Sequence, residues 1–153
     1  MKIPRPEAVP PWPFDRGRHS MRLRIFLPST KHALNEAVQA VLQVARRCGC
    51  VRDSQADLEI ALREALANAI IHGNESERAK RIFLRCYGSP EGDLLVLVRD
   101  EGRGFDPEDV PDPRDADRKH LNHGRGLLLM RELADYVEYR KSGREVLIYK
   151  SCS

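Results

Sequence analysis

Apolar and polar positions recur along this chain with two different periods, and the places where the period changes locate its elements. Residues 21–27 set Leu23, Ile25 and Leu27 against Arg22 and Arg24. That period of two predicts a half-buried strand, ended by Pro28. The period then lengthens. Leu34, Val38, Val41, Leu42 and Ala45 fall on one face of a helix running to about Arg47, with Ser29 or Thr30 as its cap and Gly49 closing it. A second helix follows, with Leu58, Leu62, Ala65, Leu66, Ala69 and Ile70 as its stripe. Asp53 or Ser54 would cap it, Ser54-Gln55-Ala56-Asp57 has a capping-box-like spacing, and Gly73 would stop it after His72. His72 itself is best read as a helix-end residue that satisfies carbonyls.

Strands return after that. Residues 81–87 place Ile82, Leu84 and Cys86 on one face, and Gly88-Ser89-Pro90-Glu91-Gly92-Asp93 is a turn cluster. Residues 94–98 form an unbroken apolar run, which predicts a central strand covered on both faces. A long polar stretch, 106–123, rich in acids and prolines, reads as a lid-like loop. A third helix starts at Gly124-Arg125-Gly126, with Leu129, Met130, Leu133 and Ala134 on its inner face. Strands at 136–140 and 145–150, joined by a turn at Ser142-Gly143, close the pattern. Before residue 21 the chain holds Pro4, Pro6, Pro10, Pro11 and Pro13 with Trp12 and Phe14 among them. This composition opposes helix and central strand, and it predicts an extended arm, 1–20, ahead of a single domain, 21–153.

Composition narrows the picture only a little. The 153 residues are 41% hydrophobic and 32% charged, in the range of an ordinary globular chain with a core of its own. A net charge of +3 with interspersed signs gives no basic face of the kind that binds nucleic acid directly. No apolar run reaches the roughly 20 residues that span a membrane, and no signal-like stretch opens the chain, so the cytoplasm is the expected compartment. Four cysteines, Cys48, Cys50, Cys86 and Cys152, lack a second pair at zinc-like spacing and read as free thiols of a reducing compartment.

Three stretches carry chemistry. Glu64 and Asn68 stand four apart on one helical face, a carboxylate beside a neutral oxygen ligand. Such a pair suits a hydroxyl attacking a phosphate whose Mg²⁺ needs oxygen donors. Asp100 ends the buried strand and leads into Gly102-Arg103-Gly104, where a carboxylate can accept from an exocyclic amine and the glycines admit a close ligand. Gly124 and Gly126 at a helix start offer unpaired N–H groups to an anion, with Arg125 between them as a phosphate partner.

In this order, the three stretches resemble the ATP-binding boxes of the Bergerat-fold (GHKL) ATPases, a superfamily that includes histidine kinases, DNA gyrase and mismatch-repair ATPases. The resemblance covers residues 21–150 and is closest to the bacterial anti-sigma-factor serine/threonine kinases. Residues 64–74 match that branch's N box, 100–106 its G1 box and 124–130 its G2 box. It implies an α/β (α+β) two-layer sandwich, with a mixed, mostly antiparallel sheet of about five strands under three helices. It further implies that Asn68 ligates Mg²⁺, Asp100 binds the adenine amino group, and Gly102 and Gly104 shape the adenine pocket. Gly124, Arg125, Gly126 and Leu127 would hold ATP at its phosphate end, and Glu64 would orient or deprotonate a serine hydroxyl. The implied partners are a sigma factor, a small anti-sigma-factor antagonist phosphorylated on serine, and a second copy in a homodimer. One departure stands out: Gly143-Arg144-Glu145-Val146 has no threonine where many members carry one near the adenine. Two other functions fit the same boxes, namely an ATP-dependent binding module without phosphate transfer and a stand-alone histidine-kinase catalytic domain.

Overall fold

Alternation in five segments builds one open sheet in the order β1-β2-β3-β5-β4. The strands are β1 (Met21–Pro28), β2 (Arg81–Gly88), β3 (Asp93–Arg99), β4 (Tyr136–Arg140) and β5 (Glu145–Ser151). The computed structural model describes residues 21–50, 52–90, 92–104 and 122–151. The proline-rich arm and most of the polar stretch expected to form a lid lie outside the described residues. Each of the four pairings is antiparallel, so the expected antiparallel majority is the whole of the sheet. The apolar run of 94–98 takes the predicted central place, with β2 on one side and β5 on the other.

Three α-helices, α1 (Lys31–Arg47), α2 (Arg52–Ala67) and α3 (Asn122–Leu133), cover one face of the sheet. The core lies between these layers. Leu23, Ile25 and Leu27 of β1, Ile82, Leu84 and Cys86 of β2, and Leu94, Val96 and Val98 of β3 all point into it. The α2 stripe of Leu58, Leu62 and Leu66 is fully buried against them. Each such leucine contributes roughly 1.5–3 kcal/mol relative to exposure. The opposite face of the sheet carries a second, smaller cluster of Leu95, Tyr136, Leu147 and Tyr149.

Local chemistry fixes the helix ends. Of the two residues that could cap α1, Thr30 does so, its hydroxyl accepting from the Ala33 N–H at 3.1 Å. Ser29 is drawn elsewhere, donating to the Lys80 carbonyl at 2.7 Å. Gly49, at φ +80°, supplies the left-handed residue past the C-terminus of α1. α2 begins at Arg52, ahead of the expected cap, and Gln55 Nε2 reaches back to the Cys50 carbonyl at 2.7 Å. On α3 it is Leu127 and Met130 that are buried, with Ala134 just past its end, while Leu129 is only partly covered. Cys48 and Cys86 are buried thiols, and burial pushes both up. Cys50, in contrast, is disulfide-bonded, against the expectation of free thiols throughout. Among the described residues no helix is long and apolar enough to cross a membrane.

Candidate nucleotide site

The stripe of the second helix runs unbroken into Ala69 and Ile70, yet the backbone changes there. At Asn68 the α-helix widens into one π turn, Asn68–Gly73. The Asn74 N–H closes that turn on the Ala69 carbonyl, five residues back, at 2.8 Å. Such turns concentrate where function constrains a helix. Asn68 therefore opens the π turn, and Gly73 ends it.

Glu64, one turn before Asn68, is brought with it against the start of α3. A Cβ placed on Gly126 would stand 2.8 Å from Glu64 Oε2 and 3.1 Å from Asn68 Nδ2. Only a residue without a side chain lets the α3 backbone approach the pair this closely. Asn68 is also held from below. Tyr139, on the core face of β4, hydrogen-bonds the Asn68 side chain, and burial pushes the Tyr139 hydroxyl well up. That contact ties the Asn68 side chain to β4.

Asp100 lies at the other end of the site. Its N–H donates to the Arg144 carbonyl at 2.9 Å, and its Oδ1 accepts from the Gly102 N–H at 2.8 Å. Burial raises the Asp100 carboxyl above the usual carboxylate range, opposed by that N–H and by the charges of Arg144 and Lys80. Gly73 packs directly on this carboxylate: a Cβ there would sit 2.4 Å from Asp100 Cγ and Oδ2. Gly102 meets the Gly73 carbonyl at 1.9 Å from its own notional Cβ. Gly104, at φ +83°, meets the Ser142 carbonyl at 2.1 Å in the same sense, which seats the Gly-x-Gly loop on the β4–β5 turn.

The structure thus brings Glu64, Asn68 and Gly126 together, and Asp100, Gly102 and Gly104 together, with the π turn joining the groups. Gly124 and Arg125 lie in the first turn of α3, and the side chain of Arg125 is outside the described residues. The glycines are within the helix rather than ahead of it. Leu127 is a core residue of α3 at 6% exposure. Gly73 is not the left-handed stop that the helix pattern implied. It is a glycine because Asp100 occupies the space of its side chain.

Two residues with clear roles were not singled out by the sequence. Tyr139 was detectable, since alternation in β4 puts Val137 and Tyr139 on the core face. Asn74 was not. It is completely buried, and its Nδ2 donates to Ser29 Oγ at 2.9 Å and to the Arg81 carbonyl at 3.1 Å. Its Oδ1 accepts from the Glu101 N–H at 2.8 Å. One carboxamide thereby ties the end of the π turn to β1, β2 and the loop after Asp100. Among the described residues no cluster of His, Cys, Asp and Glu could hold a metal by itself.

A half-buried carboxylate in a glycine-walled recess, a helix start against an Asn/Glu pair and an antiparallel sheet beneath define a nucleotide-binding domain, and the chain belongs to the histidine kinase-like ATPase domain family, whose profile matches residues 27–150. Within that family, serine-protein kinase RsbW of Bacillus subtilis (strain 168) is 33% identical over 114 residues, covering 70% of this chain and 71% of that protein. Anti-sigma F factor of Heyndrickxia coagulans is 34% identical over 77 residues, 49% of this chain and 52% of that protein. The crystal structure of the RsbU and RsbW domains of Rv1364c from Mycobacterium tuberculosis shares the fold, with a TM-score of 0.59 at 17% identity. The superposition covers 86% of this chain and 32% of that one.

Proposed function

We propose that this protein is an ATP-dependent serine kinase of anti-sigma type, which holds a sigma factor and phosphorylates a small antagonist protein on serine. The observation that carries the reading is the packing of Gly126 on Glu64 and Asn68, with Asp100 presented at the far end of the same recess. The similarity to serine-protein kinase RsbW and to anti-sigma F factor supports the choice of partners. The proposed compartment is the cytoplasm, and the proposed assembly is a homodimer.

The residues fit an adenine nucleotide. Asp100 would present its carboxylate to the base, with the bare backbone of Gly73 packed against it and Gly102 packed on Gly73 in turn. Gly124, Arg125 and Gly126 at the start of α3, with Leu127 anchoring that helix in the core, face the phosphates. Asn68, its side chain tied to Tyr139, offers an oxygen to Mg²⁺. Bound Mg-ATP supplies the phosphoryl group and neutralises charge on it. Glu64 orients the serine hydroxyl and takes its proton.

The test is incubation of the protein with labelled ATP and its antagonist. Glu64→Gln is expected to keep Mg-ATP and sigma-factor binding while slowing transfer by roughly 10²–10⁴-fold, the range for a lost general base. Asn68→Ala is expected to damage Mg-dependent nucleotide binding itself, read by calorimetry with and without Mg²⁺. If the wild-type chain binds ATP and a sigma factor but labels no antagonist, it is a binding module instead.

A further inference from the structure

The sheet face turned away from the helices carries a feature that the nucleotide site does not use. Phe26 of β1 and Phe83 of β2 are cross-strand partners with ring centroids 4.6 Å apart. Guanidinium groups surround them. Arg24, Arg85 and Arg99 lie over the Phe83 ring at 5.9, 4.6 and 5.1 Å, and Arg81 lies over Phe26 at 5.2 Å. Phe26 is 60% exposed, although aromatic rings of this size are usually covered.

The charges are arranged against the stability of the fold. Arg24 stands directly across from Arg85 in the β1–β2 register, a like-charge pair that costs a sheet free energy. Glu101 balances Arg81 at 3.9 Å, but no carboxylate among the described residues reaches Arg24, Arg85 or Arg99. Glu145, opposite Arg99 in register, pairs with Lys141 at 3.8 Å instead. The Nε of Arg85 is buried without any acceptor. That orphaned donor and the like-charge pair both cost the free fold, and an anion docked on the accessible guanidinium groups would offset the charge repulsion.

We propose that this face docks an acidic segment of a protein partner, with carboxylates on Arg24, Arg85 and Arg99 and an apolar side chain on Phe26. Aromatic and arginine side chains are the groups that dominate binding energy in such interfaces. Arg24, Arg85 and Arg99 come from three neighbouring strands about 4.8 Å apart, so they form one compact cationic patch beside Phe26, which carboxylates of one short segment can reach together. Single-stranded nucleic acid fits less well. It needs open aromatic faces to stack on, and Phe83 is 8% exposed beneath its arginines, which leaves Phe26 alone. A second copy docked about a two-fold axis through this patch would face one cationic patch with another. The surface is independent of the kinase reading, because it lies on the side of the sheet opposite Asp100 and Asn68.

The experiment is fluorescence-anisotropy titration of the full chain with a labelled peptide alternating glutamate and leucine. The same peptide with glutamine for glutamate and an oligo(dT) strand serve as controls. The glutamate peptide is expected to bind, more weakly as salt rises, and the glutamine peptide not to. Arg85→Gln, Arg24→Gln and Phe26→Ser are each expected to weaken binding about tenfold without changing ATP affinity. Arg24 and Phe26 are exposed, so those variants keep the test valid if Arg85→Gln fails to fold. Equal binding of the glutamine peptide, preference for oligo(dT), or variants that bind the glutamate peptide like wild type would each overturn the proposal. So would sedimentation showing a wild-type dimer that Phe26→Ser dissociates.

Discussion

Asp100 shows what a half-buried carboxylate costs the free protein. Burial raises its carboxyl above the ordinary range in the folded chain, so the native state holds this proton more tightly than the unfolded one. Between the unfolded and folded values the native state binds more protons. Stability therefore falls as pH rises through that window, and the loss is complete above the folded value. Asp100→Asn keeps an oxygen for the Gly102 N–H and cannot titrate. Its stability in urea at neutral pH is expected to equal or exceed that of wild type, and its curve of stability against pH should lack this downward step. The same variant should bind ATP more weakly by on the order of 1.5–3 kcal/mol, the worth of a charge-assisted hydrogen bond. Parallel pH curves for the two proteins, or equal ATP affinity, would remove Asp100 from its proposed role.

Among the elements, the π turn and the residue that follows it set the site. Asn74 is buried among three partners from other segments, so Asn74→Ala strands the Glu101 N–H and frees Ser29. A loss of about 2–3 kcal/mol in chemical denaturation is expected, with weaker ATP binding because the loop after Asp100 loses its tie. Thr30→Ala, which removes only the α1 cap, should cost about 1 kcal/mol and leave ATP binding alone. The contrast between these residues marks what the sequence could reveal. Strands, helices and the central place of β3 were legible, because each buries one face or both and the periods of two and 3.6 record it. Glu64, Asn68, Asp100 and the glycines were legible as a spaced set. The π turn was not, since Ala69 and Ile70 continue the α2 stripe across the change of backbone. Nor was Asn74, because a polar residue after a helix end reads as solvated until its neighbours are known. Gly73 drew notice for the wrong reason: its constraint comes from Asp100, which only the folded chain brings beside it.

For the whole molecule, the site and the arginine face lie on opposite sides of a single sheet, so ligands of the two should be separable. Saturating Mg-ATP at about a hundredfold over its dissociation constant should raise stability by about 2.7 kcal/mol. Phe26→Ser should gain as much as wild type, which differential scanning calorimetry would check. The contact of Gly102 with the Gly73 carbonyl has a different consequence. Gly73 and Asn68 are the two ends of one π turn, and Gly102 belongs to the loop that Asp100 begins. With the proposed roles of Asp100 and Asn68, base recognition and ion recognition would stand in mechanical series, joined by backbone pressed on backbone with no side chain to absorb a shift. By linkage, whatever factor the base lends to the ion, the ion must return to the base. Inorganic tripolyphosphate, a nucleotide stripped of its base and sugar, makes this coupling measurable. Once the ions' intrinsic preference for each ligand is subtracted, Mg²⁺ should enhance ATP binding more than it enhances tripolyphosphate binding, and a Gly102→Ala chain that still folds should lose the difference.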